Sequence, residues 1–209
     1  MRRWLTIFAL LMTSAACLPR PLDVEEEKEA FPRTRLTWNR TVMEEVPAGV
    51  DRYRVVLGDR IELLGSRVEP KNVDPGDPVT VTTYYRLLPD PACAAVKDAT
   101  DRCPQGAATA KSEVAESWKF FIHVDAVNRS HRLHGDHCPC EGLYPTNYWQ
   151  AGEVIVDRIT LQTRGHPKDE YIVWGGLYID DRRMPITGGD AARRGKENRA
   201  NMARMTLGQ

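Results

Sequence analysis

From residue 50 onward, apolar and polar positions alternate in short runs broken by Gly, Pro and Asp, which is the period of half-buried strands. Residues 52–57 and 60–68 read as strands separated by Gly58-Asp59, a hairpin-type turn pair. The turn-forming run Asp74-Pro75-Gly76-Asp77-Pro78 then precedes a strand over 79–88, in which Val79, Val81, Thr83 and Tyr85 alternate with Thr80, Thr82 and Tyr84. Further strands are predicted over 118–127, 154–162, 171–178, 184–187 and 202–207, and the one helical reading is a brief stretch over 107–116 inside a long loop. Strands of this length, apolar on one side, must bury that side against a second layer. The pattern therefore predicts an all-β domain over 49–209, a two-sheet antiparallel sandwich of immunoglobulin-like or jelly-roll-like type.

The first 48 residues follow a different pattern. Residues 1–17, MRRWLTIFALLMTSAAC, carry two arginines, an apolar run from Trp4 to Met12 and small residues ending in Cys17. The run is about half the roughly 20 apolar residues that cross a bilayer, so it reads as a secretion signal over 1–16. It resembles the lipoprotein type of signal, in which the cysteine is diacylated and becomes the mature N-terminus. That resemblance makes Cys17 the lipidation site, and Leu18 after it favours sorting to the outer membrane. Ser14 stands where leucine is commonest in such signals, and ordinary cleavage leaving a free Cys17 is the alternative. Residues 17–48, with Pro19, Pro21, Pro32, Pro47 and an acidic run, read as the lipidated cysteine and a flexible tether; Leu36, Trp38, Val42 and Met43 could dock its end on the domain.

Charge narrows the partners. The chain has 29 basic and 29 acidic residues, and a near-neutral chain offers no general electrostatic case for nucleic acid. The expected partner is the membrane, through the lipid anchor, together with an envelope polysaccharide or envelope protein.

Besides Cys17 the chain holds Cys93, Cys103, Cys138 and Cys140, an even number in an exported protein, which favours disulfides. The loops before and after the strand predicted over 118–127 are expected at opposite ends of the sandwich, which favours local pairs: Cys93 with Cys103, and Cys138 with Cys140.

Residues 134–157, HGDHCPCEGLYPTNYWQAGEVIVD, together with 171–185, YIVWGGLYIDDRRMP, resemble a sandwich module of bacterial envelope proteins. Its motif runs D-x-x-P-x-x-G-x-Y-P-T, then W-x-x-G-E, then D, and later G-x-Y with an arginine. Such modules occur beside membrane glycosyltransferases and as free-standing lipoproteins. The matching residues are Asp136, Pro139, Gly142, Tyr144, Pro145, Thr146, Trp149, Gly152, Glu153, Asp157, Gly176, Tyr178 and Arg183. The resemblance covers about 53–207, implies a sandwich and brings no catalytic residue; Cys138, Cys140 and the insert around Cys93 depart from it.

Candidate chemistry is sparse. There is no G-x-S-x-G elbow, phosphate loop or H-E-x-x-H helix, and Glu153 and Asp157, four apart in a strand, would sit roughly 13 Å apart, too far for a glycosidase pair. No catalytic residue and no cofactor is assigned. Tyr144, Tyr148 and Trp149 beside a Pro-rich loop are candidates for holding a sugar or peptide; the competing reading has Trp149 plugging the end of the sandwich and Tyr144 tying the loop down. Trp118 and Trp174, within strands, read as core. His131, His134 and His137, with Asp136, Cys138 and Cys140, form a crowded alternative metal set. The leading expectation is a membrane-anchored, non-catalytic envelope lipoprotein that binds a glycan or a partner protein. The alternatives are a structural accessory without ligand and a metal-handling lipoprotein.

Overall fold

A computed structural model describes residues 35–36, 39–89 and 114–208. The short strands of the sequence pair into two sheets. One contains β1 (Val42–Met43), β2 (Asp51–Leu57), β3 (Ile61–Glu69), β5 (Pro78–Leu87), β8 (Val154–Gln162) and β11 (Ile186–Gly189), in the order β1-β8-β5-β3-β2-β11. The other contains β4 (Asn72–Val73), β6 (Lys119–Ala126), β7 (Arg132–His134), β9 (Asp169–Ile179) and β12 (Ala200–Leu207), in the order β4-β12-β9-β6-β7, with β10 (Arg182–Arg183) paired to β9. Pairing is antiparallel except between β4 and β12. The architecture is the expected all-β sandwich. Of the helix expected over 107–116, residues 107–113 lie outside the described residues and 114–116 are not helical; the pair Cys93–Cys103 and Cys17 also lie outside them.

Alternation decides what each face carries. On β6, Phe120, Ile122 and Val124 point inward and are at most 1 % exposed; on β9, Tyr171, Val173 and Leu177 are fully buried. Facing them are Leu57, Leu63, Val79, Val81 and Tyr85 from the first sheet, in one contiguous core. Tyr85 stacks on Phe120 with ring centroids 4.7 Å apart, and Trp149 tilts against both at 5.9 and 6.1 Å. The chain ahead of residue 49 contributes as well: β1 pairs with β8, and Leu36 is buried in the core. Val46 joins Tyr84, Val154 and Val156 in a smaller cluster.

The β6–β7 hairpin alters one sequence-based expectation. β7 runs back along β6, and the backbone pairs Phe120 with His137, so Cys138 returns to the end of the sandwich where 114–118 enters β6. The segment that holds Cys138 and Cys140 therefore does not lie at the far end of β6. Nor does Cys138 pair with Cys140. Cys140 is a free, buried thiol whose Sγ lies 3.6 Å from the Val156 carbonyl, whereas Cys138 is engaged in a disulfide. The physical reason is the turn at Cys140 and Glu141, both in the left-handed region at φ 53° and 57°, which aims the Cys140 side chain into the core.

Candidate functional site

The loop that follows β7 was the main source of candidate residues, and most of them prove to hold it together. Tyr144 is fully buried and donates its hydroxyl to Glu153 at 2.8 Å. Trp149 is 4 % exposed and donates Nε1–H to the Tyr144 carbonyl at 3.0 Å. Thr146 accepts the Trp118 amide at 2.8 Å and donates to the Glu116 carbonyl at 3.0 Å, tying the loop to the strand entering β6. Tyr144 and Trp149 therefore cannot serve as an exposed platform. Burying two large rings at the open end of a sandwich removes more apolar surface from water than any surface position would. Tyr148 is half-buried and packs against the same core.

Beneath the loop lies an ion pair. His137 is held between the Gly135 carbonyl, 2.7 Å from Nδ1, and Asp157 Oδ2, 2.8 Å from Nε2. Both neighbours are acceptors, so both ring nitrogens must donate and the ring is an imidazolium. Burial disfavours that charge, but the hydrogen bond and charge of Asp157, with the Gly135 carbonyl, outweigh it and raise the His137 pKa. The other Asp157 oxygen accepts the Cys140 amide at 2.7 Å, fixing the left-handed turn. Glu153 and Asp157 thus have separate structural partners.

The alternative histidine set His131, His134 and His137 is not assembled. His131 packs edge-on against His166 at 4.8 Å, and His137 is committed to Asp157. His134 instead sits directly opposite His123 in the β6–β7 register. The same alternation that sends Phe120 and Ile122 inward turns Phe121, His123 and Asp125 outward, with Trp174, Gly176 and Tyr178 beside them on β9. Trp174, expected in the core, is on this outer face and half-buried, its ring covered by the Arg199 guanidinium at 4.8 Å. Trp118 is in the core as expected.

A patch forms where β7 ends. Gly135 faces inward, where a Cβ would stand 2.8 Å from Leu161 Cδ2 and 3.2 Å from Ile122 Cβ, so the missing side chain eases the close passage of the chain over β6 with His134 and Asp136 both turned out. Asp136 Oδ1 lies 3.4 Å from His123 Nε2, and the His123 and His134 rings meet edge-on at 5.3 Å. His123 is 7 % exposed, whereas His134 and Asp136 are exposed. Phe121 packs on His123 at 5.1 Å and on Tyr178 at 6.4 Å, and Arg183 lies over Phe121 at 4.7 Å. Burial, reinforced by the positive charge of Arg132, lowers the His123 pKa and keeps its ring neutral. The neighbouring cations have their own counter-charges: Arg132 and Arg199 both hold Asp125, and Arg183 holds Glu197. Burial opposes the Asp125 charge, but the two arginines outweigh it and hold its carboxyl below the ordinary range.

His123 is absent from the residues the sequence singles out, because no motif marks it within the strand 118–127. That strand's odd-numbered alternation, Lys119, Phe121, His123, Asp125, was the available signal. No family model, no curated protein and no solved structure matches this chain.

Proposed function

We propose that this chain is a bacterial envelope lipoprotein, anchored by lipid on Cys17 at the outer membrane. In this reading its sandwich binds an envelope polysaccharide without catalysis, on the outer face of the sheet formed by β4, β12, β9, β6 and β7. The observation that carries the binding reading is the patch itself. Tyr178, His134, Asp136 and Arg183 gather beside Phe121 and His123 on the outer face, while Tyr144 and Trp149 are used up in the core. An aromatic ring flanked by a carboxylate, an imidazole and a guanidinium supplies the stacking face and the hydrogen-bonding groups a sugar ring needs. The anchoring rests on the order of residues in 1–17 and on the arithmetic of two acyl chains, each buried methylene of which adds about 0.8 kcal/mol. No helix among the described residues is long and apolar enough to cross a membrane.

The two halves are tested together in the native host. Cys17→Ala is expected to move the protein from the detergent phase to the aqueous phase and to abolish acyl labelling. Tyr178→Ala is expected to leave partitioning unchanged and to reduce retention on immobilised envelope polysaccharide. Unlabelled wild-type protein would overturn the anchor, and undiminished retention of Tyr178→Ala would overturn the binding face.

A further inference from the structure

The structure assigns a second capacity to the same face: we infer that His123, His134 and Asp136 form a binding site for one divalent transition-metal ion of the zinc or copper(II) type. One ligand atom from each of the three lies within 4.8 Å of the others. Nitrogen and oxygen ligands at about 2.0 to 2.2 Å around a tetrahedral zinc stand roughly 3.4 Å apart. The His123 Nε2 to Asp136 Oδ1 separation is already 3.4 Å. The remaining approach falls to His134 and Asp136, the two exposed side chains, whose rotamers can turn inward without disturbing the core. The buried member, His123, is the one held by packing, against the buried Phe121 ring at 5.1 Å.

Two further features separate this cluster from a chance meeting of polar groups. Among the described residues no hydrogen bond holds the His123 ring: its Nε2, the ligand atom, faces Asp136, and its buried Nδ1 has no partner there. His137, by contrast, has both nitrogens engaged within the fold. In addition, the three ligands come from adjacent positions of one sheet. His123 and His134 are cross-strand partners, and Asp136 follows two residues on, on the same outward side, its direction set by the inward Gly135. Two imidazoles and one carboxylate suit zinc or copper(II), and because His134 and Asp136 face solvent, further coordination positions are left to water or an exogenous ligand. The nearby cations do not oppose the ion unchecked, since Arg132 is held by Asp125 and Arg183 by Glu197.

The site shares residues with the polysaccharide-binding face but does not depend on it, and its test needs no polysaccharide. Purified full-length chain in detergent would be titrated with zinc chloride by calorimetry. Cobalt(II) absorption would give the geometry, and melting curves would show that each variant is folded. One zinc per chain is expected, with a four-coordinate cobalt band lacking the thiolate charge transfer that ligation by a cysteine such as Cys140 would add. His134→Ala and Asp136→Asn, both at exposed positions, are each expected to weaken zinc affinity at least about tenfold. His131→Ala is expected to leave it unchanged. No zinc bound by the unsubstituted chain, full affinity in both ligand variants, or an equal loss in His131→Ala would each overturn the assignment.

Discussion

Truncating Trp149 to alanine is expected to destabilise the sandwich by about 3 to 5 kcal/mol, the range for deleting a buried large aromatic side chain. The ring is 4 % exposed and touches Tyr85, Phe120 and Tyr144, so its loss opens a cavity lined by three other aromatics that cannot all collapse into it. It also leaves the Tyr144 carbonyl without the indole N–H it accepts. For a domain of this size the melting temperature should fall by roughly 6 to 20 °C. Trp149→Phe keeps most of the apolar area and forfeits mainly the hydrogen bond, costing about 1 kcal/mol in its direct contribution. Denaturant unfolding of the two variants reads both numbers. A Trp149→Ala midpoint close to wild type would mean that the ring does not close the core.

The second large effect belongs to the buried ion pair. Removing the carboxylate in Asp157→Ala leaves the His137 imidazolium without its counter-charge and the Cys140 amide without its acceptor, and should cost about 3 to 5 kcal/mol. The pH dependence has a definite sign. The folded-state pKa of His137 is raised above the ordinary histidine value of about 6.5. Its contribution to stability is therefore fully present below that value and is lost as pH rises through the folded-state pKa. The stability difference between wild type and His137→Ala should accordingly be largest in mildly acidic buffer and shrink toward alkaline pH. Urea unfolding of both proteins across that range would reveal the trend. A difference that grows with pH would show that His137 is buried neutral.

What could be read from the chain divides along physical lines. Strands such as 79–88 and 154–162 were legible because a seven- to eleven-residue strand repeats its two-residue period often enough to stand out, and both were recovered within a residue. β1, β4, β7 and β10 were not, since two or three residues carry no period. Missing β7 had the largest consequence. With no hairpin to fold it back, the segment 132–140 was placed at the far end of the sandwich, which misdirected the cysteine pairing and hid the meeting of His134 with His123. The end-plug was half visible: aromatic residues clustered near Pro145 announced either a platform or a plug, and burial decided for the plug at Tyr144 and Trp149. His131, His134 and His137 look alike in sequence. Alternation after the hairpin separates them, sending His134 outward and His137 in against Phe120, where the rings lie 5.7 Å apart. Trp174 lies outside the core because β9 alternates: Val173 and Gly175 occupy the inward parity and Trp174 the outward one.

In the proposed reading, ligand meets the outer face around β6, β7 and β9, away from the aromatic loop over 144–149. The most direct test is an amide-resolved NMR titration of the isotope-labelled chain with soluble fragments of the host's envelope polysaccharide. Saturable shifts centred on Phe121, His123, His134, Asp136, Tyr178 and Arg183 are expected. Shifts centred on Thr146, Asn147 and Tyr148, with the outer face silent, would contradict it.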